Sequence, residues 1–65
     1  MEPVTDRLDR ARRHVVEGRR IVASQCALVE RQKSSGRDTR EAERTLDLFQ
    51  CSLAIFEDDL RALVP

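Results

Sequence analysis

SSGRD, residues 34–38, is the one strong break in a chain that otherwise holds a single further glycine and two prolines, one near each end. Gly36 is placed to supply the left-handed residue that closes a first helix. Asp38, followed three residues later by Glu41, reads as the N-cap and capping partner of a second. Pro3 suits the first turn of a helix, and Pro65 ends the chain. Residues 1–65 thus read as a single all-α domain, with a helix over about 3–33, a turn at 34–38 and a helix over about 39–64. Two such helices joined by so short a turn must lie antiparallel, as a helical hairpin.

The apolar spacing fits this arrangement. In the second helix Ala42, Leu46, Phe49, Leu53, Phe56, Leu60 and Leu63 alternate steps of four and three without a gap. The first helix answers with Val4, Leu8, Ala11, Val15, Gly18, Val22, Gln25 and Val29 at the same steps. Each set is the seam of a coiled coil. Folding about Gly36 pairs residues whose numbers sum to about 72, so that Gly18 faces Leu53, Val15 faces Phe56 and Ala11 faces Leu60. Small residues then meet large ones, as interdigitated packing requires. Gln25 is the polar residue of the seam, either a device for fixing register or a neighbour of the open turn end.

Outside the seam lies a second apolar stripe. Leu48 and Ile55 each precede a seam residue by one position, about 100° round the helix, with Ser52 between them and Cys51 beyond. Ile21 and Leu28 do the same on the first helix. Both helices are widened as bundle helices are and two-stranded coils are not. Each aliphatic residue left in water forgoes about 1.5–3 kcal/mol of burial. A chain of 65 residues is also marginal when it folds alone. Ile21, Leu28, Leu48, Cys51, Ser52 and Ile55 are therefore the expected self-association surface. The expected assembly is a homodimer forming a four-helix bundle.

Charged residues make up 37% of the chain, yet twelve cations cancel twelve anions, which argues against nucleic acid or an anionic membrane as the main partner. Residues 1–33 carry eight cations against five anions, and residues 34–65 four against seven. The pairing sets Glu57, Asp58 and Asp59 beside Arg10, Arg12 and Arg13, and brings His14 towards Asp58. The run RLDRARRHVVEGRR, residues 7–20, could touch phosphates through Arg10, Arg13 and Arg20. Asp6, Asp9 and Glu17 interrupt it, and no aromatic is available to stack on bases.

No metal, cofactor or catalytic site is expected. His14 has no further His or Cys at ligand spacing, and neither Cys26 nor Cys51 has a histidine at helical spacing. The two cysteines are offset along the hairpin by about 7 Å, so no bridge between them is expected. Met1 is followed by Glu2 and Pro3, and no apolar run reaches the length of a signal core or a membrane span, which makes a cytoplasmic location the expectation.

The pattern His14-Val15, Glu17-Gly18, Gln25, Gly36-x-Asp38-Thr39, Ala42 and Phe49 resembles short helical-hairpin proteins of alphaproteobacteria that have no assigned activity. The likeness runs from about residue 13 onward and implies a bacterial, cytoplasmic origin but no site residues. Those proteins are more polar around Ile55-Phe56, so the association surface is expected to be a property of this chain. The expected function is that of a small non-enzymatic interaction module. One alternative is a co-chaperone or adaptor that shields a helix of another protein. The other is a nucleic-acid-associated regulator that uses the Arg-rich face of the first helix.

Overall fold

The computed structural model describes residues 4–64, with the side chains of Val4 and Thr5 left aside. Pro3, Pro65 and the seam position assigned to Val4 therefore lie outside the described residues. Two helices make up the fold, α1 (Val4–Ser34) and α2 (Arg40–Leu63), packed against each other.

The turn between them is built on Gly36. Its φ of 72° is the left-handed conformation that a side chain resists. Gly36 N–H donates to the Lys33 carbonyl at 3.0 Å, and Arg37 N–H donates to the Gln32 carbonyl at 2.9 Å. That pair of bonds is a Schellman closure, and it satisfies carbonyls that the end of α1 would otherwise orphan.

The start of α2 differs from the expected cap. Thr39, not Asp38, is the N-cap, and it makes no side-chain bond to the helix backbone. Asp38 instead stands one residue further out. Its Oδ1 accepts the Arg40 backbone N–H at 3.0 Å, and its carboxylate holds the Arg40 guanidinium at 2.8–3.1 Å. Glu41 is not the reciprocal partner: Thr39 Oγ1 donates to Glu43 at 3.1 Å. An aspartate two residues before an N–H closes a local turn on its own side chain, and here that turn displaces the capping box.

Every described seam residue is buried or half-buried. The buried positions are the small ones, Ala11, Val15, Val29 and Ala42. Leu8, Val22, Leu46, Phe49, Leu53, Phe56, Leu60 and Leu63 are half-buried. Gly18 is the closest approach: a Cβ there would stand 3.0 Å from Leu53 Cδ1. The expected level of Gly18 with Leu53 is thus observed.

The molecule measures 51 × 19 × 14 Å, with a radius of gyration of 15.2 Å. A compact domain of this length would have a radius of about 11 Å. Fourteen ångströms is the thickness of one layer of helices, whereas domains are built from at least two.

Candidate functional site

The two sides of the seam differ in chemistry. Residues one position after a seam residue lie on one flank. There Arg19 meets Glu57 at 3.2 Å, and Lys33, one position after half-buried Gln32 beyond the end of the seam, meets Glu43 at 3.6 Å, both across the hairpin. Residues one position before a seam residue lie on the other flank: its large aliphatic members are Ile21 and Leu28 on α1 and Leu48 and Ile55 on α2, while Arg7, Arg10, His14 and Asp59 occupy it towards the open end. One flank is closed by exposed ion pairs worth a few tenths of a kcal/mol each. The other carries exposed aliphatic side chains along its middle, with charged residues at both ends.

On the open flank Ile21 is 47% exposed, Leu48 66% and Ile55 61%. Leu28 is half-buried, and Cys51 and Ser52 are exposed. Ile21, Ser24, Leu28 and Phe49 line one shallow groove, edged by Arg20 and Arg31. Leu28 also lines an adjoining groove with Gln32, Ala42, Glu41 and Thr45. Thr45 carries the surface over to α2, since Leu48 is three residues on and therefore on the same face. Of the residues expected to form one association surface, Ile21 and Leu28 share a groove, and Leu48, Cys51, Ser52 and Ile55 are exposed on α2. Side-chain oxygen Oε1 of Gln32 is buried there without a hydrogen-bond partner.

The chain exposes 5214 Å². A compact monomer of 7.5 kDa is expected to expose roughly 4,250 Å². The excess of roughly 1,000 Å² slightly exceeds the area of about 800 Å² that one partner contributes to a standard interface.

Three expected contacts are replaced. Glu57 is held by Arg19, because a guanidinium must stand on the same flank as its carboxylate, whereas Asp59 does stand with Arg10 around one pocket. Asp58 pairs within its own helix with Arg61 at 3.0 Å, three residues on. His14 accordingly does not turn to Asp58. Its ring lies on Phe56, with centroids 5.0 Å apart and planes tilted by 43°. Arg7, Arg10 and Asp59 stand around that aromatic pair at the open end of the hairpin.

Gln25 is tied across the seam: its Nε2 donates to the Ala42 carbonyl at 2.9 Å. Cys26 is half-buried and Cys51 exposed, and both are free thiols. Among the described residues no group of three or more His, Cys, Asp or Glu side chains is arranged to hold a metal ion. The Arg40 guanidinium and N–H hold the Asp38 carboxyl below its usual range, and Asp38 in turn raises Arg40. Both belong to the turn, and Asp38 also lines the groove formed by Leu28, Gln32 and Thr45.

Sequence reasoning missed two features. Val16, 53% exposed, lies off the stripe and was not singled out. The ionic closure of the opposite flank also went unread, although Arg19, Glu43 and Glu57 each follow a seam residue by one position, which is the signal that would have found it. No helix among the described residues is long and apolar enough to cross a membrane. No protein family, no curated protein and no solved structure matches this chain.

Proposed function

We propose that this chain is a small, non-enzymatic protein–protein interaction module that associates with itself through the flank carrying Ile21, Leu28, Leu48 and Ile55. The observation that carries the reading is the single-layer hairpin: it leaves these aliphatic side chains open while the other flank is closed by ion pairs. The assembly that satisfies it is a homodimer, two hairpins forming a four-helix bundle. The excess surface of roughly 1,000 Å² is the size that such a contact needs.

The test is the solution mass of the chain and of two variants. Light scattering at tens of micromolar is expected to give twice the chain mass. Ile55→Glu sets a charge on the open flank without touching the seam, and should leave a monomer. Leu53→Ala empties the space against Gly18 inside the hairpin. It should cost about 2 kcal/mol, the low end for such cavities because Leu53 is half-buried. A well-folded wild-type monomer, or an Ile55→Glu protein of unchanged mass, would sink the reading. In the first case the alternative of shielding another protein's helix takes its place.

A further inference from the structure

Two hairpins that cover each other's open flank can be arranged in two ways that keep all neighbouring helices antiparallel. With the turns at opposite ends, α1 lies beside the other copy's α1 and α2 beside α2. With the turns at the same end, each α1 lies beside the other copy's α2. Resting on the self-association reading, we propose the second arrangement: the docked partner is a second copy of this chain whose Gly36 turn lies at the same end.

Charge decides between them. α1 carries eight cations against four anions, and α2 three against six. The groove on α1 is edged by Arg20 and Arg31, and the α2 side of the flank carries Glu41. Turns at opposite ends bring the arginines of one α1 against those of the other, and like charges facing across an interface select against a partner. Turns at the same end put Arg31 at the level of Glu41 of the second copy.

Shape agrees with charge. Within the hairpin, Gly18 lies at the level of Leu53, so facing residues have numbers that sum to about 71. In the same-end arrangement that rule also fixes levels between copies, because the two-fold axis runs along the hairpin. Leu48 and Ile55, the two most exposed aliphatic residues, then fall at the levels of about residues 23 and 16 of the other α1. They straddle Ile21, and Leu48 enters the groove formed by Ile21, Ser24 and Leu28. A protruding α2 thus meets a grooved α1. The opposite arrangement also covers apolar area, by setting Leu48 beside Ile55 of the other copy, but in that register Ile21 and Leu28 fall at the levels of residues 18 and 11 of the other α1, which offer no exposed aliphatic side chain.

The experiment is a distance between turns. Cys26→Ser and Cys51→Ser remove the native thiols, and a spin label is attached at Ser35→Cys or, in a separate protein, at Arg37→Cys. Both positions are exposed in the turn. Mass and helical circular dichroism are measured on the same samples. A dimer whose labels lie within about 30 Å is expected, the width of two packed helix pairs. A dimer with labels about 50 Å apart, close to the 51 Å length of the hairpin, overturns the same-end arrangement and leaves self-association standing. A folded monomer overturns the self-association reading itself. Agreement between the two label sites removes the outcome in which one label has disturbed the turn.

Discussion

Gln25 Nε2 and the Ala42 carbonyl oxygen meet at 2.9 Å across the hairpin, which makes the one polar residue of the seam the tie between its two helices. A half-buried amide so placed has one good partner and would lose it if either helix slid by a turn. Gln25→Ala is expected to cost about 1–2 kcal/mol in urea denaturation, the bond together with its packing. Gln25→Leu should stay within about 1 kcal/mol of the wild type but lose register, since an apolar seam accepts several alignments. Doubled amide signals in the nitrogen–proton NMR spectrum of Gln25→Leu, and of no other single variant, would mark that loss.

Gly18 and Leu53 should behave as a coupled pair. Replacing a mid-helix glycine by alanine gains about 1 kcal/mol from helix propensity alone. Here the new methyl group would stand 3.0 Å from Leu53 Cδ1 and 3.8 Å from Phe56 Cδ2. In the Leu53→Ala background that obstacle is gone, and Gly18→Ala should show its full gain. In the wild-type background the gain should be smaller by at least about 0.5 kcal/mol, the coupling that contacting residues display. Equal effects in both backgrounds would show that the helices are not in contact at this level.

Gly36→Ala tests the turn. At φ 72° an alanine is strained whatever the space around it, and a Cβ there would meet nothing within 4 Å. The cost is therefore conformational, about 1–2 kcal/mol. For a domain of this size each 1 kcal/mol lowers the melting temperature by about 4–8 °C. Gly36→Asn should recover part of the loss, because asparagine tolerates the left-handed region.

Asp38 sets a pH dependence of known sign. Its carboxyl is held below the usual range, first by the Arg40 guanidinium and then by the Arg40 N–H. A group whose folded pKa is depressed stabilises the fold above its unfolded pKa, about 3.9, and that stabilisation is lost as the pH falls through the folded value. The Asp38 side chain is 61% exposed, so solvent screening keeps the effect small. Thermal unfolding of Asp38→Asn against wild type should differ at pH 7 and converge as the pH falls below about 4. The raised Arg40 group loses its contribution only above its own high pKa, outside any working range.

The hairpin, its turn and the membership of the seam could be read from the sequence. SSGRD and two unbroken runs of alternating steps leave only one way to fold. The open flank was legible for the same reason: Leu48 and Ile55 keep a fixed offset from Phe49 and Phe56. What escaped were choices between polar partners of nearly equal energy. Asp58 has Arg61 on its own helix and the arginines of α1 across the seam, and only side-chain geometry selects the first. The cap went astray likewise, since Asp38 and Thr39 are both good capping residues and the backbone bond from Arg40 to Asp38 settles the matter. His14 lay between an acidic and an aromatic neighbour, and the tilt of its ring against Phe56 is not encoded in spacing.

The order of levels along the seam has a kinetic consequence. Val29 and Ala42, both buried, stand only thirteen residues apart in the chain, whereas Ala11 and Leu60 close a span nearly four times as long. Every intermediate level is spaced evenly between these, so each contact, once made, shortens the loop that the next must close. Such a chain zips outward from Gly36 as two rigid arms close. The Gln25–Ala42 bond, close to the turn, falls among the first ties and holds the alignment for those that follow. Fraying should begin at the opposite end, around Leu8 and Leu63, where hydrogen exchange is expected to be fastest along the seam.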